Sequence, residues 1–327
     1  MRCRSVLEGS GLGRGSALTL VALLALLAAS GCSIKRFALN KVADMLAETG
    51  DLFASDDDPE LVRDAVPFAL KTIEGLSERL PQHRELLLSA CSGFTQYSYA
   101  FVETDAVLLE GTDFAEVARL QDRALRLYLR GRDYCMRSLE LEYPGIGERL
   151  LLQPEDAVAA VSDVPLLFWT GASWGAAISL GKDRPELAAD LPAVIALMRR
   201  GLELDETYDE GAIHEVMITL ESLPANMGGS YERARQHYER ALELSAGRRA
   251  STYTALASNV SQGEQNRGEF EQLLGLALAI DPDEHRESRL QNLIVQRRAR
   301  HLLKRVEDLF LEPYLEEQED SDEGSSK

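Results

Sequence analysis

Five histidines, His83, His214, His237, His285 and His301, lie far apart in the chain, outside the short spacings used by metal ligands and by base–nucleophile pairs. His214-Glu215 opens a zinc-protease spelling, but Ile218 occupies the place of the second histidine. Phosphate-loop and dinucleotide glycine patterns are absent, and no nucleophile–base pattern is read. Paired carboxylates such as Glu203 and Asp205 carry no weight alone in a chain with 54 acidic residues. The expectation is a chain without catalytic residues, metal site or cofactor.

Two clusters suit binding better than catalysis. The segment Phe168-Trp169-Thr170-Gly171-Ala172-Ser173-Trp174-Gly175 holds both tryptophans of the protein. Five positions apart on a helix, the two rings point ~140° from each other, so one is free to face a cavity while the other packs. Core packing is the ordinary role of such rings; the functional alternative for Phe168, Trp169 and Trp174 is a wall of an apolar groove or channel. Gln296-Arg297-Arg298-Ala299-Arg300 is a basic island in an acidic chain. Its ordinary role is ion pairing with neighbouring helices, and Arg298 is the candidate for an anion or partner contact.

Cys32 points to a different chemistry. Residues 1–31 read as an export signal: Arg2 and Arg4 at the start, an apolar run over 17–29, and small residues before Cys32. That run rises only ~20 Å as a helix, against ~30 Å for the apolar core of a bilayer, so cleavage is favoured over spanning. The stretch Leu26-Leu27-Ala28-Ala29-Ser30-Gly31-Cys32 resembles the bacterial lipobox, which implies cleavage before Cys32 and acylation of its thiol. Ser33 behind it is compatible with outer-membrane sorting. Cys91 and Cys135 remain in a compartment that permits a bridge. Both fall in predicted helices among apolar neighbours, where buried free thiols are commoner, so they are read as thiols ahead of a disulfide.

The elements that carry these residues are helical throughout. Apolar residues recur at three and four positions, and strict alternation is scarce. With breakers such as Asp58-Pro59, Pro81, Gly111, Pro144-Gly145 and Gly181 as boundaries, helices are predicted over 36–54, 59–79, 82–104, 114–142, 155–161, 165–180, 186–204, 208–222, 230–245, 250–261, 267–280 and 285–310. Residues 143–154 break the rhythm and suggest a lid, a crossover or a subunit contact. Residues 316–327, acidic and without an apolar side chain, read as a disordered tail. The domain reading is a signal over 1–31, one helical domain over 32–315, and that tail. The net charge is −19, and because Arg2, Arg4 and Arg14 outweigh Glu8 by two, residues 32–327 carry −21. Such a surface repels nucleic acid and anionic lipid headgroups.

One phrase repeats: Gly201-Leu202-Glu203-Leu204-Asp205, Ala241-Leu242-Glu243-Leu244-Ser245 and Ala277-Leu278-Ala279-Ile280-Asp281, at spacings of 40 and 36 residues. Ala234, Tyr238 and Ala241 follow the second helix of a tetratricopeptide repeat, although the large aromatic of the first helix is missing. The fold class is therefore all-α, stacked helical hairpins forming an α-α superhelix with cryptic tetratricopeptide-like repeats.

In this order, the lipobox, the aromatic helix running on to Ile178-Ser179-Leu180-Gly181-Lys182-Asp183, the phrase Arg200 to Glu206, Gly228-Gly229, the repeat helix from Ala234, and Asn292 with Gln296-Arg297-Arg298-Ala299 resemble the T components of TRAP-transporter-associated systems, the TatT lipoproteins. The resemblance implies a periplasmic, lipid-anchored, non-enzymatic helical protein that assembles into a homotrimer with a central pore. Its implied partner is the substrate-binding protein of a TRAP transporter, with a small, hydrophobic ligand passing between them. Two other readings are a tetratricopeptide lipoprotein scaffolding outer-membrane or cell-wall assembly, and a helical hydrolase with an unrecognised site.

Overall fold

The computed structural model describes Lys41 and residues 53–311. The signal over 1–31, Cys32, most of the helix predicted over 36–54 and the tail over 316–327 lie outside the described residues. Among those described, every regular element is helical.

Capping side chains set the starts of several of the longer helices. Asp58 accepts from the amides of Glu60 and Leu61 at the head of α1 (Pro59–Ser77), with Pro59 at the first position, where a missing N–H costs nothing. His83 caps α2 (Arg84–Tyr97), which continues through a π-helical segment, Ser98–Glu103, into α3 (Thr104–Leu109). Asp113 caps α4 (Phe114–Glu142), a helix of 29 residues. Residues 143–154, expected to break the rhythm, contain α5 (Ile146–Leu152) before α6 (Pro154–Val158) begins. Gly145 turns the chain at φ 78°, and Glu140 of α4 accepts from the amides of Gly145 and Gly147 at 2.7 and 2.8 Å. Asp163 caps α7 (Val164–Leu180), the aromatic helix. After it come α8 (Pro185–Ala188), α9 (Leu191–Leu204) and α10 (Ala212–Glu221). Ser230 caps α11 (Tyr231–Leu244). Then α12 (Ala250–Leu256) runs into a second π segment, Ala257–Ser261, and α13 (Arg267–Ala279), α14 (Arg289–Lys304) and α15 (Val306–Leu309) complete the order.

The long α4 is the axis of the first half, with α2 and α7 both packed along it. Close approach of α2 depends on Gly131: a β-carbon there would stand 2.9 Å from Thr95 Oγ1 and 3.0 Å from the Cys91 carbonyl. One turn further along, Cys135 is joined to Cys91 of α2, with 5.4 Å between their α-carbons. The two cysteines read as separate thiols are thus a disulfide, formed because Gly131 brings the helices close enough. Closing a loop of 44 residues corresponds to about 4 kcal/mol in the chain-entropy picture.

From α9 onward the helices pack in chain order, α9 on α10, α10 on α11, and so on to α14. The repeated phrase sits at these crossings: Gly201, Ala241 and Ala277 are all buried, as are Val194, Ala234 and Phe270 seven residues earlier in each unit. Small residues here set the helix spacing; a β-carbon on Gly201 would come within 2.9 Å of Ile213 Cδ1. The last long helix, α14, then lies back against α1 and α3, so the two ends of the described chain meet.

Candidate functional site

The predicted binding residues fall in three separate places. Trp174 is 4% exposed; its indole nitrogen donates to Asp190 Oδ2 at 3.2 Å, and the Arg132 guanidinium lies over its ring at 5.3 Å. Phe168 and Trp169 belong to a different cluster. Their rings meet edge to face at 4.9 Å, and Tyr208 packs on Phe168 at 5.3 Å. With Met198, Ile213 and Met217, this cluster joins α7 to α9 and α10, where the first half of the fold passes into the sequential array. Burial, and then Asp209, push the Tyr208 hydroxyl up to about 12.

The aromatic helix also spells the Gly-x-Ser-x-Gly nucleophile motif that the chain was expected to lack, Gly171-Ala172-Ser173-Trp174-Gly175. That motif needs a strand-to-helix turn to expose its serine. Here Ser173 is fully buried in mid-helix, and its hydroxyl donates to the Thr170 carbonyl at 3.0 Å. The spelling therefore carries no hydrolase site.

Arg298 reaches from α14 to the first π segment. Its guanidinium sits 4.5 Å above the Tyr99 ring and 3.1 Å from Glu103, which also accepts from the Tyr128 hydroxyl at 2.6 Å. The widened π turn carries both Tyr99 and Glu103. Burial works against the Arg298 charge, yet Tyr99, Glu103 and Tyr128 together raise its pKa. Burial, and then the Glu103 carboxylate, push the Tyr128 hydroxyl well above its ordinary value. Three further arginines mark the same seam: Arg289 beside Asp57 at 3.8 Å, Arg297 with Glu60 at 3.1 Å and Arg305 with Glu110 at 2.7 Å. Arg297 and Arg298 of the basic island thus pair with neighbouring helices, and their geometry ties the end of the array to its beginning. Asn292 and Gln296 stitch α14 to the preceding turns. Asn292 accepts from the Ala250 amide at 2.9 Å, and Gln296 donates to the carbonyls of Ala277 and Ile280 at 3.1 and 2.7 Å.

Sequence spacing missed one pair. His214 of α10 and His237 of α11 face each other, Nδ1 to Nδ1, at 2.8 Å, so one ring donates and the other accepts. Burial, and then His237, lower the His214 pKa to about 4, and burial lowers that of His237. Glu206, held by Arg240, stands 3.6 Å from the far nitrogen of His214. The two histidines are 23 residues apart on facing helices, a separation that gives no motif. Among the described residues, no group of three or more His, Cys, Asp or Glu is arranged to hold a metal.

The surface of the described residues carries at least two depressions. One, about 400 Å³, is lined by Pro81, Asp133, Met136, Arg137, Glu140 and Leu141. The other, about 80 Å³, lies between Arg84, Leu88 and Asp163. Neither is lined by Phe168, Trp169, Trp174 or Arg298. Among the described residues, no helix is long and apolar enough to cross a membrane.

Comparison with known proteins matches this body almost end to end. A curated protein of Treponema pallidum (strain Nichols), described as uncharacterized, is 31% identical over 304 residues, covering 86% of this chain and 94% of that protein. The model of the TRAP transporter T-component family matches residues 55–310, nearly the whole described body, with its aromatic helix, its repeated phrase and its closing arginine seam. The chain belongs to the TRAP transporter T-component family.

Proposed function

We propose that this protein is the lipid-anchored accessory component on which the substrate-binding protein of a TRAP transporter docks in the periplasm. The observation that carries the reading is the family match across residues 55–310. Support also comes from the leader: an apolar run over 17–29 followed by Ser30-Gly31-Cys32 is the pattern that acylation of Cys32 requires, and the tether holds the helical body at the membrane, the outer one by the compatibility of Ser33.

Helices packed in chain order bury a continuous core and leave a long outer face for a protein partner. Trp174 is buried within one copy, and the half-buried Trp169 packs on Phe168 of the same copy. A path for a small apolar ligand therefore runs between copies, in the pore of a homotrimer, with the docked binding protein at its mouth.

The test is to purify the full, acylated protein from detergent-solubilised envelopes. The TRAP substrate-binding protein co-purifies, and light scattering gives the mass of three chains. A monomer that recovers no substrate-binding protein overturns the reading.

A further inference from the structure

Residues 143–154, singled out in the sequence as a lid, crossover or contact, form a surface that no step above uses. Its base is the depression of about 400 Å³ between Pro81 and the end of α4. Two rows of α4 line it, Met136 with Glu140 and Asp133 with Arg137 and Leu141, each spaced by four residues and so stacked along one face. The helix α5 extends the same wall. A β-carbon on Gly147 would lie 3.0 Å from Glu140 Oε1 and 3.3 Å from Met136 Cε, so that side of α5 is pressed against the lining. Leu151 follows Gly147 by one turn on the same side and is 56% exposed; Leu152 beside it is 71% exposed and Leu141 40%. Leu141 lines the depression, and Leu151 and Leu152 stand in water on the helix pressed against that lining; several exposed leucines on two touching helices mark a contact face, since single exposed apolar residues are common but a group of them is not.

The charge around this face has one sign in excess. Glu148, Glu155 and Asp156 stand exposed on either side of the leucines, with Arg149 between them, and Asp133 and Glu140 are exposed at the depression. An acidic rim around an apolar centre selects a partner of the opposite pattern, because charge at a rim sets encounter and orientation while the buried centre sets affinity.

Resting on the docking reading above, we propose that the α4–α5 face, centred on Leu141, Leu151 and Leu152, is where the substrate-binding protein seats, through an apolar side chain ringed by lysine or arginine. The depression accepts the anchor, and Glu148, Glu155 and Asp156 face the cations.

The test measures affinity for the purified TRAP substrate-binding protein of the same organism, using the whole mature protein, the variant L151E/L152E and the variant E155K/D156K. All four substituted positions are exposed, so helix content and oligomer mass serve as controls that stay unchanged. Wild type binds, and its affinity falls as salt rises. The leucine variant loses roughly tenfold or more, as for an interface centre, and the charge-reversed variant loses affinity mainly through slower association. Wild-type binding that both variants retain overturns the assignment of this face while leaving the docking reading intact. No binding by wild type overturns both. Loss of oligomer mass in the leucine variant assigns the face to a second copy instead, and the proposal fails.

Discussion

The His214–His237 contact shows what burial does to a single proton. Two imidazoles facing at 2.8 Å hold one hydrogen between them, and both rings have pKa values below that of a free histidine, through burial first. A group whose folded pKa lies below its unfolded value of ~6.5 stabilises the fold above that pH and loses the contribution as pH falls toward the folded value. With His214 at about 4, the loss falls between pH ~6.5 and ~4. The expected size is about 2–3 kcal/mol. Denaturant unfolding at stepped pH checks this: wild type weakens through that window, and His214→Gln/His237→Gln gives a flatter profile. Glu206, the carboxylate beside His214, is held below its ordinary range by Arg240. Nothing in the sequence announced the pair, because facing positions on adjacent helices leave no short spacing. Arg298 and Glu103 were hidden for the same reason, being 195 residues apart.

At the scale of elements, the connection between α10 and α11 is built on backbone proximity. Gly228 takes φ 89°, and a β-carbon on Gly229 would fall 1.7 Å from the Leu223 carbonyl oxygen. The Ser230 amide donates to the Glu221 carbonyl at 2.6 Å across the same turn. Gly229→Ala therefore forces the turn open and costs about 3 kcal/mol, the upper end for an overpacked site. Thermal or denaturant unfolding measures it, and a change within error of wild type would contradict the geometry. Helices were the legible part of this structure. Asp58, Asp113, Asp163 and Ser230 announce their starts, and apolar periodicity carries each to within a few residues of its end. The π segments were not legible, since widening one turn leaves the hydrophobic pattern nearly unchanged; both lay inside predicted helices. Helix α5 was masked by Pro144-Gly145, whose turn signal outweighed the short apolar run behind it. The Cys91–Cys135 bridge depended on Gly131, a residue with meaning only once α2 and α4 are known to cross there.

For the molecule as a whole, the arginine seam decides how the series of helices packed in chain order ends. Such a series leaves a terminal apolar face that needs a cap. Here α14 turns back on α1 and α3, and Arg298 enters the gap between Tyr99 and Glu103. Removing one partner strands the other charge. Arg298→Met and Glu103→Gln each cost about 3–5 kcal/mol, while the double variant recovers a large part, as for a buried pair whose gain and desolvation nearly offset. A double-mutant cycle by chemical denaturation reads the coupling directly, and additive losses would contradict it. A molecule closed in this way has a preformed outer face, and the family to which it belongs makes it a transporter-associated component. The most direct measurement of that role is the mass of the purified protein, mixed with its TRAP substrate-binding protein, by size-exclusion chromatography with light scattering. The account predicts one co-eluting species whose mass requires both proteins; two peaks with the masses of the separate proteins, at concentrations well into the micromolar range, would contradict it.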